Sequence, residues 1–330
     1  MATPTLAGNR FSLSSPSTFA GAPRRRFWKR AWLPLLLLIL SVLTTAGSGA
    51  RFMGNFLSGL PPLANDADFL PLLWIWRHPQ AIGNGWSFSV TLLAILLAHE
   101  AGHFIWCRKH GIRASLPYVL PAPTLSGTMG AVIRIRSRIS SRRALIEIGI
   151  AGPIAGFLVA VPAAILGILL SRPAPVHGSP GLVHFEQPLI ITLLHQALTL
   201  LVPTLPSIPN LLPHPILMAS WLGFFITSLN LIPAGQLDGG HILYALSPRA
   251  HRAMTFIVPA VLFAMGLTLW AGWLLWGLIL LLPIMRHARV PNFPLLQENY
   301  RWLGWLALAL FVLTLLPAPF AGTGLLEILK

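Results

Sequence analysis

Acidic side chains are scarce in this chain. Its 330 residues hold eight Asp and Glu against 23 Lys and Arg, and charged residues of both signs amount to only 9%. So few charges, beside 55% hydrophobic residues and a mean hydropathy of +0.72, exclude a soluble globular domain and leave a polytopic membrane protein. Cysteine is nearly absent as well, and the solitary Cys107 excludes an intramolecular disulfide. No internal repeat is visible. The formal net charge of +15 would suit nucleic acid, but the basic residues sit in short stretches between apolar runs. That is the positive-inside pattern of a membrane protein, so nucleic acid is not an expected partner and the lipid bilayer is.

What the chain has is hydrophobic length. Apolar stretches predict spans near 31–47, 87–107, 144–170, 216–234, 254–270, 272–285 and 302–317. Residues 253–285 taken as one helix would extend roughly 50 Å, well beyond a ~30 Å hydrocarbon core. A hairpin turning at "WAGW" (270–273) fits better. With seven spans and the N-terminus inside, 19 of the 23 Lys and Arg fall in inner segments. Residues 1–30 read as a disordered basic cytosolic tail, and 31–330 as one multi-span membrane domain. "RRRFWKR" (24–30) before an apolar run mimics a signal peptide, but no cleavage site with a soluble domain follows, so a retained anchor is expected. The proline-rich loop 171–215 contains "PLIITLLHQALTLLVP" (188–203), a short segment with a histidine, read as an outer-surface or re-entrant helix. The expected fold is therefore all-α, with about seven transmembrane helices.

Within the second span, "LLAHEAGHFIW" (96–106) buries two histidines and a glutamate. Ionisable groups inside a span are costly and mark functional sites. On a helix, His99 and His103 share a face one turn apart, where two imidazoles can grip one zinc ion, while Glu100 lies beside them to handle a water proton. A catalytic zinc needs a third protein ligand. Five carboxylates follow the motif: Glu147, Glu186, Asp238, Glu298 and Glu327. Glu186 and Glu327 fall on the outer side, and Glu298 in a polar loop. Asp238 closes the apolar run 221–241 at the same inner depth as the histidines, and is the expected ligand. Glu147 competes, although Arg142 and Arg143 offer it an interfacial ion pair instead. Cys107 shares the histidine face but lies roughly 12 Å along the axis from His99, too far to join one ion, and reads as a packed residue. His110 reads as interfacial, and His241 as either a support for Asp238 or a loop residue.

With "HEAGH" and "NLIPAGQLDGGH" (230–241) both present, the chain resembles the site-2 protease family of intramembrane zinc metalloproteases. The matching residues are His99, Glu100 and His103, then Asn230, Pro233, Leu237, Asp238 and Gly239. The resemblance, over roughly 87–285, implies one catalytic zinc held by His99, His103 and Asp238, with Glu100 as general base. It implies that Asn230 binds substrate backbone or the reaction oxyanion. "PAPTLSGTMGAVIRIRS" (121–137) looks like the family's β-forming segment near the active site, and "GIAGPIAG" (149–156) like its next helix, with small residues at close packing distance. No PDZ-like or CBS-like insertion is visible.

The function so implied is hydrolysis of peptide bonds in single-span membrane proteins, with the active-site end toward the cytosol. "GAVIRIRS" alternates apolar and basic residues at strand spacing. It either pairs with an extended substrate by edge addition or forms an interfacial strand whose arginines meet headgroups. On the first reading Gly127, Thr128, Gly130 and Val132 are the candidate substrate contacts. The alternatives from other classes are a metal-binding transporter, which has no need of Glu100, and an inactive homologue that only binds membrane partners.

Overall fold

The computed structural model describes residues 24–137, 139, 141–175, 185–285, 296 and 298–329. Helices dominate them. In chain order come α1 (Arg24–Leu57), α2 (Pro71–Arg77) and α3 (Trp86–Lys109), then an antiparallel hairpin of β1 (Tyr118–Pro121) and β2 (Thr128–Val132). There follow α4 (Arg142–Leu170), α5 (Leu189–Leu201), α6 (Pro215–Asn230), α7 (Asp238–Leu246), α8 (Pro248–Thr268), α9 (Gly272–Leu281) and α10 (Trp302–Thr314). Each of the seven apolar stretches read from the sequence carries a helix. Among the described residues four helical segments are long and apolar enough to cross a membrane: Trp32–Leu57, Pro79–Lys109, Arg142–Leu170 and Pro248–Thr268. α6 and α9 are apolar but shorter, as is α10 at 13 residues.

Boundaries depart from the sequence reading where local chemistry competes with hydropathy. α1 begins at Arg24, inside the expected tail, because residues 24–33 hold no Gly or Pro, and it continues through Pro34; residues 1–23 lie outside the described residues, as do Arg286 and Arg289. α6 ends at Asn230 rather than near 234, because Pro233 lacks an amide hydrogen and disfavours helical backbone at the residue before it. α8 starts earlier than expected, at Pro248, where Ser247 Oγ accepts from the Ala250 amide at 3.2 Å. The run 253–285 does break, and α8 and α9 pack together across residues 269–271.

The helices share two ends. At one, the His103 ring meets the Ile148 carbonyl at 2.8 Å, His251 Nε2 meets the Gly235 carbonyl at 3.1 Å, and Gln236 donates to the Ile284 carbonyl at 3.0 Å. The Arg143 guanidinium there lies 4.9 Å over the Tyr300 ring. At the other end, the His214 amide donates to Ser171 Oγ at 3.0 Å and Arg172 lies 4.9 Å over Phe56. The Glu186 amide donates to the Pro319 carbonyl at 3.3 Å, and the Ala271 amide to the Thr323 carbonyl at 2.9 Å.

Between the ends, Phe88, Leu92, Ile95 and Leu96 of α3 pack on Ala160, Ala164 and Ile168 of α4 and on Leu217, Trp221 and Phe224 of α6. The hairpin lies between α1 and α3. Among the described residues β2 pairs with β1 alone, in the register Tyr118↔Val132 and Val119↔Ala131.

Candidate metal centre

α3 carries His99, Glu100 and His103 in its last turns, and all three are buried. α4 runs beside it, and His103 is fixed by that neighbour. A carbonyl can only accept, so His103 Nδ1–H donates to Ile148 O at 2.8 Å and Nε2 is left with its lone pair outward. That nitrogen lies 3.1 Å from His99 Nε2. Asp238 Oδ2 stands 3.2 Å from each of them.

Asp238 reaches this point because the chain stops being helical after Asn230 and restarts at Asp238 itself, the first residue of α7. A carboxylate in that place is favoured by the partial positive charge of the helix N-terminus. The Asn230 side-chain amide remains at the rim of the group, with Nδ2 3.4 Å from His99 Nε2.

The donor set fits zinc. Ligand atoms at 2.0–2.1 Å from a tetrahedral zinc lie about 3.3 Å from one another. The three separations here, 3.1, 3.2 and 3.2 Å, form a triangle of that size from two imidazoles and a carboxylate. Among the described residues this is the group of His, Cys, Asp and Glu side chains whose ligating atoms converge. Without an ion, two facing imidazole nitrogens and a carboxylate would be poorly matched inside an apolar bundle.

A cavity of about 310 Å³ opens beside the group. Glu100 lines it together with the two histidines, Asp238 and Asn230. Ala131, Val132 and Ile133 form part of its wall, so the end of β2 faces the site. His241 also lines the cavity.

The other candidates are placed elsewhere. Glu147 accepts from Arg143 Nε at 2.9 Å and from His110 Nε2 at 2.6 Å, which engages both of its oxygens with residues other than His99 and His103. Cys107 is fully buried among Ile112, Ala144 and Ile148. Gly127 lies against α1, where its carbonyl accepts from Thr44 Oγ1 at 2.6 Å. Thr128 spends its hydroxyl within the hairpin, on the Leu120 carbonyl at 2.8 Å, and accepts there from the Gly130 amide at 3.1 Å. Of these four hairpin residues Val132 borders the cavity. Gly152 has a role that pattern reading did not assign: a Cβ there would stand 2.1 Å from His103 Nε2. The small-residue spacing of 149–156 marks a close helix contact, but not the side chain that fills it.

The model of peptidase family M50 matches residues 87–271. The probable zinc metalloprotease EGY2, chloroplastic, of Arabidopsis thaliana is 28% identical over 283 residues, covering 82% of this chain and 47% of its own length. The probable zinc metalloprotease EGY1, chloroplastic, of the same plant is 29% identical over 310 residues, 87% of this chain and 53% of its own length. A rice (Oryza sativa subsp. indica) probable zinc metalloprotease EGY2, chloroplastic, is 31% identical over 179 residues, 53% of this chain and 32% of its own length. The chain thus spans about half the length of the two Arabidopsis relatives. The family match covers more than half of the chain and includes α3, the hairpin, and the segment from Asn230 to Asp238; the chain belongs to peptidase family M50, the site-2 protease family.

Proposed function

We propose that the chain is an intramembrane zinc metalloprotease that hydrolyses peptide bonds of membrane-spanning proteins. One observation carries the reading: His99, His103 and Asp238 converge to zinc-ligand spacing in a cavity that Glu100 also lines, inside an apolar bundle. Zinc, when bound by these three residues, supplies Lewis-acid polarisation of water and of the scissile carbonyl. The chain's own groups do the rest. Ile148 holds the His103 tautomer, so that Nε2 stays available. Glu100 takes a water proton and later delivers it to the leaving amine. Asn230, at the rim, orients the substrate backbone or donates to the oxyanion that develops on the scissile carbonyl. A helical substrate must unwind to be cut, because its hydrogen bonds shield that carbonyl. The end of β2 and the residue after it, 131–133, offer backbone groups to an extended segment.

The membrane path in this reading has seven spans, with the N-terminus and the site end toward the cytosol. The substrates are single-span proteins, and one zinc is bound per chain.

Glu100→Gln tests the reading, because it keeps the shape of the side chain and removes the base. Purified in detergent and reconstituted, this variant is expected to retain zinc while cleavage of a panel of single-span reporters falls about 10²- to 10⁴-fold. Cleavage at a rate comparable to wild type would overturn the assignment. Histidine-dependent zinc flux into liposomes, without cleavage, would replace it with transport.

A further inference from the structure

The turn of the β1–β2 hairpin lies against the middle of α1, far from either end of that helix. Thr44 stands midway along the membrane-length segment Trp32–Leu57. Non-helical backbone at such depth persists only where protein satisfies its polar groups. α1 does this with two hydroxyls on one face, at i and i+3. Ser41 Oγ donates to the Val119 carbonyl at 3.2 Å and Thr44 Oγ1 to the Gly127 carbonyl at 2.6 Å, whereas Ser48 Oγ, one turn on, lies nearer to the Thr44 carbonyl of its own helix at 3.3 Å than to Thr124 at 3.5 Å. Thr44 has acceptors within its own helix, but at 3.0 and 3.2 Å they are longer. The other face of α1 is apolar and exposed at Leu36, Ile39, Leu40 and Leu43, as lipid contact demands.

A second, steric observation points the same way. Gly127 has φ of +75°, and a Cβ on it would stand 2.5 Å from the Thr44 carbonyl oxygen and 2.6 Å from Thr45 Cα. The hairpin turn is therefore seated on α1 by both hydrogen bonds and contact. α1 itself lies outside the segment 87–271 that matches the family.

We infer that α1 is a positioning element for substrate binding: Ser41 and Thr44 set the depth and register of the hairpin, and thereby aim the end of β2 and the residue after it, 131–133, at the cavity. This rests on the proposed pairing of substrate with β2. These hydroxyls act through the hairpin and touch neither substrate nor metal.

Thr44→Val removes the shorter of the two bonds at constant shape, and Thr44→Ser restores the hydroxyl. Thr45→Val is the control, because Thr45 lies on the same helix but bonds Ser89 of α3 at 2.6 Å. With the full-length chain in liposomes, Thr44→Val is expected to raise KM for a single-span reporter about tenfold, the scale of one hydrogen bond, with zinc content and kcat near wild type. Thr44→Ser should recover KM, and Thr45→Val should leave it within twofold. Amide exchange over 118–132, followed by mass spectrometry, reads the same device without activity: it should quicken in Thr44→Val and not in Thr45→Val. Equal effects of the Thr44 and Thr45 variants on KM or exchange would reduce α1 to ordinary packing and overturn the inference, and so would unchanged KM with unchanged exchange. If wild type cleaves no reporter, the protease reading fails by itself, and exchange alone decides whether α1 holds the hairpin.

Discussion

His103 occupies the space a side chain at position 152 would need. A methyl group on Gly152 would meet its Nε2 at 2.1 Å, so the glycine of α4 sets where that imidazole can point. Gly152→Ala is expected to leave the bundle folded and to weaken zinc affinity about 10- to 100-fold, the range seen when the support of a metal ligand is disturbed. Metal content under a graded chelator measures this, and wild-type retention would show that α4 yields instead. The carboxylates give a sharper contrast. Asp238→Ala should lose zinc, whereas Glu147→Ala should keep it, since Glu147 serves Arg143 and His110; the opposite result would transfer the ligand role. The candidate ligands His99 and His103 stand out in the sequence because their spacing is local, and Asp238, far along the chain, stands out by its depth at the end of an apolar run. Gly152 does not, because a glycine facing a histidine 49 positions earlier leaves no mark in either neighbourhood.

Elements show the same division between local and distant causes. Long apolar runs mark the helices, but their ends follow from single residues that hydropathy averages away: Pro233 stops α6 at Asn230, and Ser247 with Pro248 starts α8. The break between α6 and α7 matters for function, because it leaves Asn230 and Asp238 on one cavity wall instead of two turns apart on a helix. Asn230→Leu should leave zinc content intact and lower turnover about 10²-fold, as for other lost oxyanion donors; wild-type turnover would sink that role. The hairpin was legible as a strand-forming segment, but not which of its residues face the cavity, since Gly127, Thr128 and Gly130 are taken up by the turn and by α1. Val132 does face it. Proline there removes a backbone donor and should impair cleavage if β2 pairs with substrate, so normal cleavage by Val132→Pro would leave the segment as a headgroup contact.

At the scale of the whole molecule the question is how many helices cross the membrane. α6 has 16 residues, α9 has 10 and α10 has 13, which give lengths of roughly 24, 15 and 20 Å against a ~30 Å core. By length alone these three fall short. Their ends nevertheless alternate between the same two groups of contacts. Residues 235–236, 251, 284 and 300 meet at the end that holds the metal centre. The pairs 171 with 214, 186 with 319 and 271 with 323 meet toward the other. Each short helix is prolonged by flanking apolar chain, such as Leu231–Ile232 after α6 and Pro283–Met285 after α9. The proposed seven-span path is consistent with this alternation and with the 19 of 23 Lys and Arg that the sequence assigns to inner segments. Single cysteines introduced into a Cys107→Ala background test it. Arg113, Arg249, Arg301, Glu186 and Glu327 are all exposed, so cysteines there are open to a membrane-impermeant maleimide. In intact cells those replacing Glu186 and Glu327 should react and the three replacing arginines should not, and opening the membrane should reverse the protection. Labelling of the Arg301 cysteine from outside would mean that α9 turns back without crossing, which would reduce the number of spans and put the start of α10 on the wrong face for the Arg143–Tyr300 contact.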